Sequence, residues 1–207
     1  MLVTGTGEVS AEPDTLTASF AVETSASAVD EALDRANTAA TRMRDALVRA
    51  GLTSADLQTS NVAVSSQRDD DGGGITGYTA SQGVTATIRN LPRAGAVMSE
   101  AIAAGGDAAR LNGVWYSIED DTALLTEARK KAFADARTKA ELYAREAGRP
   151  LGRVIRVSEV TPGGGVGSGG TDFRTGADSP VPLEPGRQRL AVTVTVEWTL
   201  QPDRRSS

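Results

Sequence analysis

Residues 2–14 read LVTGTGEVSAEPD, and the fold turns on what Gly5 and Gly7 do there. Two glycines close behind an apolar start can open a phosphate-cradling loop, or they can sit inside a strand. A dinucleotide fingerprint needs a third glycine and then a helix whose N-terminus receives the phosphate. Here Glu8, Val9 and Ser10 follow Gly7, and no Walker lysine is present. Pro13 then breaks the run, because it cannot donate to a sheet ladder. Beyond it, Leu16, Ala18, Phe20 and Val22 alternate with Thr15, Thr17, Ser19 and Ala21, which is the period of a half-buried strand. The glycines are therefore read as part of a twisted or bulged strand.

The rest of the chain switches between the same two periods. Val29, Leu33, Ala36, Ala40, Met43, Leu47 and Ala50 recur at three and four, which predicts a helix over 27–50, capped by Ser25 or Ser27 and closed by Gly51. Extended runs at 56–67 and 77–89 flank the turn-rich RDDDGGGITG and predict a hairpin, with Tyr78, Ala80, Val84, Ala86 and Ile88 on one face. A short helix spans 93–104, started near Pro92 and ended by Gly105 and Gly106. A strand at 110–118 leads to a long helix at 121–147. Its stripe is Leu125, Ala128, Ala132, Ala136, Ala140, Tyr143 and Ala147, and Asp120 or Asp121 caps it. Extended runs follow at 152–161 and 188–200. The last carries Val192, Val194, Val196, Trp198 and Leu200 on one face. The Gly/Pro-rich segment 162–187 between them predicts a flexible loop.

Strand, long helix and hairpin thus occur twice. The expected class is α+β: two strand–helix–hairpin pseudo-repeats, with antiparallel sheets packed on Ala-rich helices. We expect one domain over 1–207, made of halves 1–91 and 107–201 joined by the 93–104 helix.

Composition narrows function by exclusion. The 207 residues contain no Cys and no His, which removes disulfides, thiolate nucleophiles, imidazole bases and nearly every zinc or copper site. A formal net charge of -5 gives no basic footprint for nucleic acid or an anionic membrane. No apolar run of membrane-spanning length exists. Carboxylate chemistry would need a facing pair with one raised pKa. The nearest candidate, Glu119, Asp120 and Asp121, reads instead as the cap of the following helix. The loop RDDDGGG lacks the alternating ligands and distant Glu of a calcium loop and reads as a hairpin tip. Arg129, Lys130, Lys131 and Arg137 alternate with acids and read as a solvated helix face with local ion pairs. Trp115 and Tyr116 are adjacent, so in a strand they face opposite sides: one belongs to the core, the other to a cleft or subunit contact. Trp198 reads as core.

Several stretches together resemble one family. They are VTGTGEVSAEPDTLTASFAVET at the start, GLTSADLQTSNVAV, ITGYTASQGVTATI, EARKKAFADARTKAELYAREAGRPLGRVIRVSE and the closing VTVTVEWTL. In this order they are similar to the SIMPL-domain family of bacterial periplasmic or outer-membrane immunogenic and oxidative-stress-defence proteins. The resemblance implies an α+β fold, export to the periplasm or cell envelope, a lipid anchor in some precursors, and assembly into a ring-like oligomer in at least one member. It supplies no catalytic residue. Gly5, Gly7, Pro13, Asp14, Asp56, Thr59, Gly77 and Tyr78 match as fold determinants.

The function expected is a non-enzymatic, exported envelope protein acting by binding or self-assembly. A cytoplasmic location is the alternative if no export signal preceded this chain. The alternative activity is binding of a lipid or metabolite in a cleft between the halves. We expect no cofactor, no metal and no nucleic acid. The partner is a second copy or another envelope protein, met through Trp115, Tyr116 and Tyr78.

Overall fold

The computed structural model describes residues 1–69, 74–160 and 184–202. The tip residues 70–73 and most of the 162–187 segment lie outside the described residues, and with them the expected mobile loop. The described chain has seven strands and three α-helices: β1 (Leu2–Ala11), β2 (Thr15–Ala26), α1 (Val29–Arg49), β3 (Leu57–Arg68), β4 (Ile75–Ile88), α2 (Leu91–Gly105), β5 (Ala109–Ser117), α3 (Thr122–Glu146), β6 (Leu151–Val160) and β7 (Gln188–Leu200). All strand pairs are antiparallel. This is the α+β class read from the sequence.

The strands form two sheets, in the orders β1-β7-β6 and β3-β4-β2-β5. The hairpins β3–β4 and β6–β7 form as expected. Pairing nonetheless regroups the chain halves. β5, which precedes α3, bonds to β2, and the place beside β7 goes to β1. One compact unit therefore combines Met1–Glu12 with α3, β6 and β7, and the other is built on Pro13–Ser117. The helix expected to join the halves lies within the second unit. Its Ala94, Val97, Met98 and Ala101 are buried in the core that α1 covers, because both faces of a joining helix would otherwise stay wet.

In the Pro13–Ser117 unit, Leu16, Ala18, Phe20 and Val22 of β2 and Ala80, Val84, Ala86 and Ile88 of β4 face α1 and α2. Met43, Leu47 and Met98 fill the space above them, fully buried. Burial of such side chains contributes about 1.5–3 kcal/mol each. Val29, read as part of the α1 stripe, is exposed, since it lies at the frayed first position of the helix. No serine caps α1: the N-cap is Ala28, and Ser25 shares a hydroxyl hydrogen bond with Thr79 instead.

The other unit packs differently. The alanines of α3 at 128, 132, 136, 140 and 144 are all buried, and they lie on Val3, Gly5, Gly7 and Val9 of β1 and on the valines of β7. A Cβ at Gly5 would overlap Ala132 O and Ala136 N, and one at Gly7 would overlap Ala128 O and Ala132 N. The two glycines thus let helix backbone lie against strand backbone. β1 runs in unbroken register from Leu2↔Glu197 to Ala11↔Gln188, so no bulge is present. The stripe ends on Ala144. Tyr143 is exposed and Ala147 lies past the last turn, because a straight helix at 3.6 residues per turn carries the i+4 row, not i+3, along this seam. Trp198 is buried as read, with its ring centroid 6.3 Å from that of Phe133.

Candidate functional site

Sheet edges are where this protein differs most from a closed globule. The outer edge of β1 is occupied by α3 and by the chain entering β7. Asp135 accepts the Thr6 N–H at 2.9 Å, Lys139 donates to Thr4 O at 3.3 Å, and Lys131 donates to Glu8 O at 3.3 Å. Arg187 donates to Ser10 O at 3.3 Å. Lys139 and the Thr6 N–H together hold the Asp135 carboxyl below the usual carboxylate range. Every second main-chain group along this edge has a side-chain partner, which blunts it against further strand pairing.

The opposite edge of the same sheet is open. β6 pairs with β7 alone, and Val154, Ile155, Val157 and Val160 are each at least 40% exposed. Two register shifts, at Leu151/Val154 and Val154/Arg156, and a bidentate Arg129–Glu159 pair from α3 break up this edge. That pair draws the Glu159 carboxyl down and pushes Arg129 up. Arg129 therefore reaches across to a strand, whereas Lys131 and Arg137 form the local i,i+4 pairs read from the sequence, and Lys139 adds one with Asp135.

In the Pro13–Ser117 unit the sheet edges are β3 and β5, and β3 is the longer. It pairs only with β4, and from Gln58 to Arg68 every residue is exposed. Leu57–Gln67, LQTSNVAVSSQ, carries no charge. Val62 and Val64 stand exposed on its helix side, opposite Gln82 and Ala80. A short 3-10 turn at Ser54–Asp56 fixes where β3 begins. The Asp56 carboxylate accepts both the Thr53 hydroxyl (2.6 Å) and the Thr53 N–H (2.8 Å), and pairs with Arg89. These bonds lower Asp56 to about 2. The sequence pattern T-x-x-D carried this capping box, and strand periodicity hid it.

The aromatic candidates separate as adjacent strand residues must. Trp115 is 47% exposed on the face of the β2–β5 sheet turned away from α1 and α2, opposite Thr17. Tyr116 packs half-buried against the helix-covered core, and desolvation raises its pKa. Tyr78 also packs against that core, opposite Ala26. The three do not form one surface.

Glu119 and Asp120 are exposed before α3 and Asp121 is half-buried. Asp120 accepts the Thr122 N–H at 3.0 Å, and its bonds to Thr122 lower its pKa, the opposite of what a general acid needs. Among the described residues no group of three or more Asp and Glu is placed to hold a metal ion. No described helix is long and apolar enough to cross a membrane. A half-open groove of about 470 Å³ lies between α1 and the start of β3, lined by Asn37, Thr41, Arg44, Gln58 and Gln82 among others. Its amides, hydroxyls and one guanidinium suit a small polar ligand.

Sequence comparison with known proteins covers nearly the whole chain. The chain is 32% identical over 215 residues to the 26 kDa periplasmic immunogenic protein of Brucella melitensis biotype 1, covering 96% of this chain and 84% of that protein. The same figures hold for the 26 kDa periplasmic immunogenic protein of Brucella abortus strain S19. The family SIMPL, described as a protein of unknown function (DUF541), matches residues 1–198. A family match over residues 1–198, with relatives 32% identical across 96% of the chain, shows that the chain belongs to the SIMPL family.

Proposed function

We propose that this protein is exported to the cell envelope and works without catalysis, by joining copies of itself through the open edge of β3. The observation that carries the reading is the uncharged, exposed run Gln58–Gln67 on a sheet edge. A long edge strand with free ladder groups and apolar side chains is a template for another strand. The periplasmic relatives support export. The absence of Cys and His and the lowered pKa values of the shifted carboxylates support a non-enzymatic role.

The test is absolute mass by light scattering after size exclusion, over a range of concentrations. The expected result is a discrete species above the 21.4 kDa of one chain. Val62→Lys with Val64→Lys should return it to one chain, since lysines on an edge oppose pairing. A single-chain mass at every concentration would overturn the proposal. The groove beside Arg44 favours a second reading, a polar-metabolite module. A saturable rise in melting temperature that Arg44→Ala abolishes would support it.

A further inference from the structure

The face of the β2–β4–β5 sheet turned away from the helices has a composition unlike the rest of the surface. Thr17 lies opposite both Trp115 and Thr87, and Ser19 lies opposite both Gly113 and Thr85. These hydroxyl residues are half-exposed, and among the described residues none of the four hydroxyls hydrogen-bonds another protein group. The charges nearest along β2 and β5 are Glu23 and Arg110, which lie 3.8 Å apart and offset each other. Trp115 is the one exposed large hydrophobic residue on this face among the described residues from Gly77 onward.

The indole has a defined seat. A Cβ at Gly113 would lie 2.9 Å from Trp115 Cζ2 and 3.1 Å from Cη2, so the benzene part of the ring is folded down over the glycine backbone. One side of the ring rests on the strand, and the 47% exposure belongs to the rest. Beside it, free hydroxyls repeat at roughly 5 Å across the strands and 7 Å along them, the scale of one sugar ring.

We propose that this face binds a neutral glycan chain, with one pyranose ring stacked on Trp115 and its neighbours hydrogen-bonded to Thr17, Ser19, Thr85 and Thr87. A pyranose presents C–H groups on its faces and hydroxyls around its rim, which matches an aromatic plate bordered by free hydroxyls. A nucleic acid or anionic surface would need a cluster of basic residues, whereas the arginines bordering this face, Arg89 and Arg110, are each paired with a carboxylate. A protein partner would need an apolar centre of several side chains, whereas around Trp115 no second large hydrophobic residue is exposed on this face among the described residues. The inference is independent of self-association, because β5 and β3 are opposite edges of the sheet.

The experiment is titration with chitohexaose and, separately, cellohexaose, read by calorimetry in every variant and, where Trp115 is present, also by tryptophan fluorescence and the indole N–H resonances. Trp198 is only 3% exposed, so a shift confined to the other indole reports Trp115. We expect saturable binding that Trp115→Ala weakens by about tenfold to a hundredfold, the range for losing an aromatic stacking plate. Gly113→Ala, which lifts the ring from its seat, should weaken binding with the ring still present. Thermal melts of both variants establish that they fold. No saturable change with either sugar, or equal binding by folded Trp115→Ala, would overturn the proposal. So would an assembly mass that falls in Trp115→Ala without sugar, since that assigns the ring to a second copy.

Discussion

The two helix-on-sheet layers of this protein solve the same problem in opposite ways. α1 stands off its sheet on bulk, with Phe20, Leu16, Met43 and Leu47 filling the gap. α3 lies down on its sheet, with Ala128, Ala132 and Ala136 against Gly5 and Gly7 and no large side chain between them. Bulk packing fails when volume is removed. Backbone packing fails when volume is added. Removing volume should therefore cost most in one unit and adding volume most in the other, and two tryptophans, Trp115 and Trp198, report them separately.

The largest effect should come from Phe20→Ala. Removing a fully buried ring costs about 3–5 kcal/mol, and a denaturant melt should show the Trp115 signal move first. Gly7→Ala comes next. Its added methyl meets helix backbone, which has no rotamer to escape into, so the cost should be about 1–3 kcal/mol or somewhat more, seen first in the Trp198 signal. If Gly7→Ala were neutral, the close-approach account of α3 would be wrong. Ala136→Gly sharpens the contrast: it leaves the seam open and loses helix propensity, about 1 kcal/mol.

The smallest effect is the pH dependence that Asp56 contributes to the Pro13–Ser117 unit. Asp56 is depressed to about 2 in the folded state. Its contribution is thus present above the unfolded value of about 4 and is lost as pH falls from there towards about 2. Asp56→Asn should flatten that part of the stability profile of the Pro13–Ser117 unit. An unchanged profile would mean that the Thr53–Asp56–Arg89 cluster does not set it.

Much of this architecture is legible in the residues. Alternation in TLTASFAV and VTVTVEW names the inward faces of β2 and β7 correctly, and the alanine row of α3 is visible as a period. Partnering is not legible. Nothing in VTGTGEV says that it pairs with residues 188–197, because strand period records which face is buried and carries no address for a neighbour. The meaning of Gly5 and Gly7 was split between two distant segments: small residues on a strand matter only once the small residues of α3 are brought to them. The edges were equally hidden. LQTSNVAVSSQ reads as an ordinary strand, and only the sheet order leaves it outermost. The adjacent pair Trp115–Tyr116 was readable as one in, one out, but which ring faced water depended on where the helices lay.

The β1–β7 ladder also sets a timetable. Of the seven described strands Leu2–Ala11 is synthesised first, yet its partner Gln188–Leu200 is synthesised last. At about 5–20 residues per second, the first strand waits on the order of 10–40 s for its mate. The four strands of the other unit all lie within Pro13–Ser117 and are in hand much sooner. The opening segment is thus held as an unclosed clasp throughout synthesis, and the moment of completion is set by the arrival of the final strand.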